Sequence, residues 1–404
     1  MQKTEDVNVK QKRLSFTEFV ILMSLLMSLA ALSIDGMLPA LPQIGTDLGV
    51  QNANEPQLVV SALFLGLAVG QLFFGPLSDK TGRKPAVYSG YALYIAGALI
   101  SIFAGSFPVM LAGRLLQGVG LSAPRAVTLA IVRDQYAGRT MARVMSFVTT
   151  VFILVPMIAP TMGQAVLLFS GWRGIFGVYI VIALISLTWF ALRMPETLAP
   201  EDRAPFSLRR IGSATLQIVK NRTAIGYTIS TGLISGAFLG YLNSSQQIFQ
   251  EQYALGERFP LIFAIISFSI GLASLLNSQL VMRFGMRLLV RWSLGCILVL
   301  SISALGVALF TGGNPSLWLL MAFLMTTFFS IGILFGNQNS LAMEPLGHLA
   351  GIGAAVVGSL GTLIQIPLGT LIGQSYNGTI VPLFLGIAVF AGLSRLIVWW
   401  VEAK

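Results

Sequence analysis

Apolar stretches long enough to cross a bilayer recur twelve times along this chain, near 16–43, 57–78, 85–105, 108–134, 142–168, 172–194, 222–250, 258–283, 288–310, 315–342, 347–374 and 380–401. A helix needs roughly 20 apolar residues to span about 30 Å of hydrocarbon. In lipid each helix also satisfies its own backbone polar groups. The stretches use nearly all of the 404 residues and leave no room for a soluble catalytic domain. Only 10% of residues are charged, against about a quarter in soluble domains. The first stretch follows a polar, basic N-terminus but is too long for a signal-peptide core and lacks a small-residue cleavage site, so it reads as a retained helix.

The formal net charge of +10 could suggest a nucleic-acid partner, but the cations follow the loops instead of forming a stripe. Lys3, Lys10, Lys12 and Arg13 precede span 1. Lys80, Arg83 and Lys84 sit between spans 2 and 3, and Arg133, Arg139 and Arg143 between 4 and 5. Arg193, Arg203, Arg209, Arg210, Lys220 and Arg222 lie between 6 and 7, and Arg283, Arg287 and Arg291 between 8 and 9. By the positive-inside rule these loops and both termini are expected in the cytoplasm. The opposite loops carry Asp47, Glu55, Glu251 and Glu257, with Arg173 and Arg258. The single cysteine, Cys296, excludes a disulfide framework and a thiolate metal site. No phosphate-binding loop, dinucleotide fingerprint, metal-ligand spacing or nucleophile elbow is visible. The chain is therefore expected to be neither an enzyme nor ATP-driven, and to hold no cofactor.

The connection from about Met194 to Lys220, rich in Pro and charge, divides the spans into six and six. The expected organisation is a bundle over 1–194, a cytoplasmic linker over 195–221 and a second bundle over 222–404. A two-half architecture predicts that the loop after span 2 recurs after span 8. Arg283, Gly285 and Arg287 do stand where the first copy has Lys80, Gly82 and Lys84, but Met282 replaces Asp79.

Several motifs carry a family likeness. Gly75 with Asp79-Lys80-Thr-Gly82-Arg83-Lys84 matches the signature loop between helices 2 and 3 of the major facilitator superfamily. Arg114-Leu-Leu-Gln117-Gly118-Val-Gly120 matches its helix 4 motif associated with proton coupling. Pro156 with Ala159-Pro160-Thr-Met-Gly163 resembles the helix 5 antiporter motif, with Ala159 where glycine is usual. Ile34-Asp35-Gly36 through Pro42, with Gly171-Trp172-Arg173, most resembles the bicyclomycin/chloramphenicol-resistance exporters. The likeness covers essentially the whole chain. It implies an all-α membrane protein with twelve transmembrane helices in two pseudo-symmetric six-helix bundles. Its implied activity is proton-coupled export of small amphiphilic compounds by a monomer in a bacterial inner membrane. The competing expectation is a facilitator or proton symporter importing a metabolite.

The residues themselves support parts of that reading. Asp79 ends helix 2 and the cations begin helix 3, so an ion pair there could fasten the helices and break as the protein opens inward, as a latch. Asp35 is an acid inside a span, which is costly and by default functional. By a rise of ~1.5 Å per residue, Asp35 and Arg114 lie about 12 and about 9 Å from the outer face. In major facilitators helices 1 and 4 line the cavity, so the likeness turns this shared depth into an expected Asp35–Arg114 interaction. Arg125, eleven residues further, returns to within about 20° of the Arg114 face. Whether it lines the cavity or snorkels stays open. Counting these charges, neutral or zwitterionic compounds are the favoured substrates over organic cations. Pro156 and Pro160 break backbone hydrogen bonds, and Ala159 with Gly163 forms a small-residue face that would seal the bundles against proton leak. Gln117, Tyr241, Asn243, Asn337, Gln338 and Gln365 are polar groups within spans, and some should line a substrate cavity.

Overall fold

The computed structural model describes residues 14–403, so Lys3, Lys10, Lys12 and Arg13 lie outside the described part. The described residues contain no strand. The first half holds α1 (Phe16–Asp35), short α2 (Leu41–Asp47), α3 (Leu58–Thr81), α4 (Arg83–Ile102), α5 (Phe107–Gln135) and α6 (Gly138–Arg193). Then comes α7 (Leu208–Lys220), followed by α8 (Arg222–Gln246), α9 (Phe259–Phe284), α10 (Met286–Phe310), α11 (Leu317–Met343), α12 (Ala350–Gln374) and α13 (Val381–Glu402).

Among the described residues, eleven helices are long and apolar enough to cross a membrane. One of them, α6, has 56 residues, roughly 84 Å at 1.5 Å per residue, about twice what one crossing uses. It breaks at Gly171, where φ is 66° and ψ −176°. Positive φ is open to glycine without the Cβ penalty, so 138–170 and 172–193 are two spans and the crossings number twelve. Large apolar residues such as Phe103, Phe169, Phe310 and Trp318 are fully or largely exposed, which suits a surface solvated by lipid.

Within the first half, α1 packs on α6, and α3 and α4 on α5; within the second, α8 packs on α12 and α13, and α10 on α11 and α13. The halves meet along two seams, α3 with α12 and α6 with α9. The loop repeat appears in backbone geometry: Gly82 (φ 102°, ψ 165°) and Gly285 (φ 76°, ψ 155°) interrupt the chain at matching points. The segment between the halves, read as a plain linker, contains amphipathic α7. Its Ser207 side chain accepts from the Arg210 N–H at 3.2 Å, and Ala214 and Ile218 are buried.

Candidate functional site

The face bearing the α3–α4 and α9–α10 loops is called here the basic face, and the opposite one the far face. At the far face the halves are tied together. Asn54 Nδ2 donates to the Gln374 and Tyr376 carbonyls, both at 2.9 Å, and Gln374 Nε2 returns a bond to the Asn54 carbonyl at 2.7 Å. Gln247 Nε2 donates to Asn54 Oδ1 at 2.8 Å, and Gln57 Nε2 to Gln246 Oε1 at 3.3 Å. Below them Ser61 Oγ bonds Thr370 Oγ1 at 2.9 Å and accepts from Asn243 Nδ2 at 3.1 Å. Ser359 Oγ continues the α3–α12 seam by donating to the Ala68 carbonyl at 2.7 Å. On the basic side a cavity of about 360 Å³ lies between the halves, with Gln71, Arg125, Arg133, Met141, Met145 and Asn339 among its walls. The geometry is that of a pathway closed at the far face and hollow toward the basic one.

Asp35 ends α1 and is 5% exposed. Its carboxylate makes no hydrogen bond or ion pair to any described residue. The expected partner, Arg114, is fully buried but turned elsewhere. Its Nη2 donates to the Ser33 carbonyl at 2.8 Å, Nε to the Val59 carbonyl at 3.2 Å and Nη1 to Gln117 Oε1 at 3.1 Å. The guanidinium also lies 5.8 Å from the Phe176 ring centroid. The two charges share a layer, since Ser33 is two residues from Asp35, but they do not pair. Carbonyls of α1 and α3 fill the guanidinium fork instead, which makes Arg114 a tie between three helices. Gln117 serves that tie and is not among the cavity walls, contrary to expectation.

Tyr179 from α6 and Tyr241 from α8 are buried, and among the described residues their hydroxyls have no hydrogen-bond partner. Gly36, next to Asp35, leaves no room for a side chain: a Cβ there would sit 2.8 Å from Tyr179 Oη. A Cβ on Gly163 would lie 1.9 Å from the Gly36 carbonyl oxygen. The small-residue motif of α6 therefore grips α1 at the Asp35 break, inside one half, where the sequence suggested a seal between the bundles. Ala159 of that motif is buried, Pro160 likewise, and Pro156 is half-buried.

At the basic face, Arg83 is almost wholly enclosed and joins two acids. Its Nη1 lies 2.5 Å from Asp79 Oδ1 and its Nε 2.8 Å from Asp134 Oδ2. Glu196 accepts the backbone N–H groups of Arg83 and Lys84 at 2.8 and 2.9 Å, capping α4. Lys84 Nζ donates to the Ala191 carbonyl at 3.0 Å, and Lys80 is exposed. A Cβ on Gly75 would stand 3.7 Å from Ala355 Cβ, in the seam with α12. The expected latch pair thus exists. It is formed in this structure, in which the far face is tied and the basic side hollow, and a second carboxylate, Asp134 from α5, shares the guanidinium. Asp134 and Glu196 had escaped the sequence reading because they lie 51 and 113 residues from Arg83.

The second-half amides are also mostly structural. Asn243 belongs to the far-face ties. Asn337 exchanges hydrogen bonds with Asn277 at 2.8 and 3.4 Å and joins α11 to α9. Gln338 Nε2 donates to Ser230 Oγ at 2.6 Å, and Ser230 bonds Ser394. None of these three is among the cavity walls, nor is Gln365, which is 7% exposed. Asn243, Asn337 and Gln338 each find a neighbouring helix instead of the cavity. Tyr241 is 2% exposed, stacks on Phe263 at 5.8 Å between centroids and packs against Phe328 and Phe238. Arg125 is among the walls of the basic-side cavity.

Known proteins share this plan. The sequence pattern of the Major Facilitator Superfamily matches residues 23–367. The chain is 31% identical to the uncharacterized MFS-type transporter YdgK of Bacillus subtilis, over 93% of this chain and 94% of that protein. It is 26% identical to the bicyclomycin resistance protein homolog of Haemophilus influenzae, over 96% of each. The crystal structure of the human organic anion transporter MFSD10 superposes with a TM-score of 0.70, covering 96% of this chain and all of that one at 17% identity. Twelve crossings, repeated loop geometry, two seams around a one-sided cavity and a pattern matched over most of the length agree: this chain belongs to the Major Facilitator Superfamily.

Proposed function

We propose that the chain is a proton-coupled secondary exporter of small amphiphilic compounds, working by alternating access in a bacterial inner membrane with its basic face toward the cytoplasm. Both termini then lie on the cytoplasmic side. Residues 1–194 and 222–404 form the two rocking bundles, and 195–221 connect them. The observation that carries this reading is Asp35: an acid buried at a helix break, without a hydrogen-bond or ion-pair partner among the described residues, next to the glycine against which the Tyr179 hydroxyl packs. A carboxyl group whose surroundings differ between states binds a proton differently in each.

In the cycle, a substrate enters the basic-side cavity, the far face opens, and the substrate leaves as Asp35 takes a proton from outside. Return to the cytoplasm-facing state releases that proton inward. Resistance to bicyclomycin, named for one relative, is the sort of phenotype such export produces.

The test is proton release from acid-loaded proteoliposomes on adding bicyclomycin or chloramphenicol, comparing the native protein with Asp35→Asn. Release by the native protein that is lost in the variant supports antiport through Asp35. Equal release in both moves the proton site elsewhere, and proton uptake in place of release makes the protein a symporter.

A further inference from the structure

Arg125 stands ten residues before the basic-face end of α5 at Gln135, about 15 Å deep at 1.5 Å per residue. That is too deep for its side chain to snorkel along the helix to headgroups. It lines the cavity of about 360 Å³ between the halves, a volume in the usual range for small-molecule sites. Among the described residues nothing pairs with it: Arg125 takes part in no ion pair or hydrogen bond. The same holds for Arg133, a second wall residue, whose Nη2 would lie 3.9 Å from a Cβ on Gly351 in the first turn of α12. The N-terminal end of that helix carries partial positive charge, and its Leu349 cap position offers no side-chain acceptor. Asp79 is the only acid in the described lining, and Arg83 already holds it at 2.5 Å. Leu129, Ile352, Met141 and Met145 supply an apolar, adaptable wall beside this charge.

An intramembrane cation without a partner marks a functional site, and an unpaired guanidinium fork suits a planar anion. We propose that the cavity selects amphiphilic anions, compounds whose carboxylate, sulfonate or phosphonate pairs with Arg125 while an apolar body rests on the methionine wall. Arg133 draws the anion in from the basic face. This sharpens the substrate class of the exporter reading and rests on it for the direction of travel.

Three isosteric probes test it: 2-naphthoate, 2-naphthamide and 2-naphthamidine, titrated calorimetrically into full-length protein in phosphatidylcholine nanodiscs, with empty nanodiscs subtracted. The expected result is naphthoate binding about tenfold or more tighter than the amide, the gain of one charge-assisted hydrogen bond, with the amidine weakest. Arg125→Gln should erase the preference, Arg133→Gln should reduce it, and Arg125→Lys should keep part of it. The ranking in the native protein needs no variant, so a folding defect in Arg125→Gln leaves the test intact. Equal affinities, an amidine preference, no binding of any probe, or a naphthoate preference undiminished in a folded Arg125→Gln would each overturn the proposal. Adding phosphatidylglycerol separates sources of the anion: unchanged naphthoate binding assigns the site to a free compound, whereas loss of binding assigns it to a lipid headgroup and overturns the substrate claim. Proton release through Asp35 is read independently, so failure here leaves the export reading standing, and failure there leaves the charge preference standing.

Discussion

The bonds inside each half and the bonds between the halves are made of different chemistry. Among the described residues all six ion pairs join groups of the same half: Arg83 with Asp79 and with Asp134, Arg173 with Asp47, Arg193 with Glu18, Arg287 with Glu344, and Arg291 with Glu402. The bonds found across the seams join only neutral groups, such as Asn54 with Gln374 and Gln247, Gln57 with Gln246, and Ser61 with Thr370. Breaking a buried ion pair leaves an uncompensated charge and costs several kcal/mol. An amide that trades a protein partner for water loses only about 1 kcal/mol. The enclosed guanidinium of Arg83 therefore fastens the first bundle by charge, whereas neutral amides close a mouth that must reopen every cycle.

The largest break of this contrast is Arg83→Ala. It leaves Asp134 and Asp79, at 16% and 37% side-chain exposure, without the enclosed guanidinium between them, and the expected loss is about 3 kcal/mol, read as a fall in melting temperature of the purified protein. A loss below 1 kcal/mol would mean that the network is solvated and does not hold the bundle. Next comes Gly163→Val, whose side chain must push α6 away from the Gly36 carbonyl. Overpacking of this kind costs about 1–3 kcal/mol. Substrate-evoked proton flux should drop while the protein remains folded, and unaltered flux would show that α1 and α6 tolerate separation at the Asp35 break.

Asn54→Ala acts on the other side of the comparison. It removes the side-chain bonds to Gln374, Tyr376 and Gln247, and at about 1 kcal/mol net for a hydrogen bond the far-face-closed population should fall about fivefold or more against the open one. Spin labels on the far ends of α3 and α12, in a Cys296→Ser background, would report a longer distance with melting temperature nearly unchanged. A stability loss as large as that of Arg83→Ala would erase the distinction drawn here. The smallest effect is expected for Glu344→Gln, whose partner Arg287 and itself are both more than half exposed. Exposed pairs contribute about 0.2–1 kcal/mol, and a shift in melting of only a degree or so is expected.

The sequence was most legible where chemistry is local. Span positions followed from apolar run length, and the Gly82 and Gly285 breaks from the loop repeat. Arg125 is a cavity wall although Arg114, the reference for its helix-face argument, is not: Arg114 turned to the Ser33 and Val59 carbonyls, which no periodicity reveals because backbone acceptors leave no mark in composition. Asn243, Asn337 and Gln338 illustrate the same limit: an amide in a span needs a partner, and sequence does not say whether a helix or a cavity supplies it. A signal for α7 was present and unread, with Ile211, Ala214 and Ile218 recurring on one face among basic residues. Asp134 stood beside a noted arginine, but only folding brings it to Arg83.

The neutrality of the bonds that cross the far-face seam also determines what an electric field can do to them. Moving one elementary charge through the membrane potential is worth about 2.3 kcal/mol per 100 mV, but Asn54, Gln57, Ser61, Gln247 and Thr370 bring no charge of their own to the seam. Voltage finds nothing to grip in these bonds. Its work falls on charge carried through the pathway, the proton proposed for Asp35 and any charge on the cargo, so on that proposal polarisation acts on the direction of net transport and not on the bonds that tie the seam.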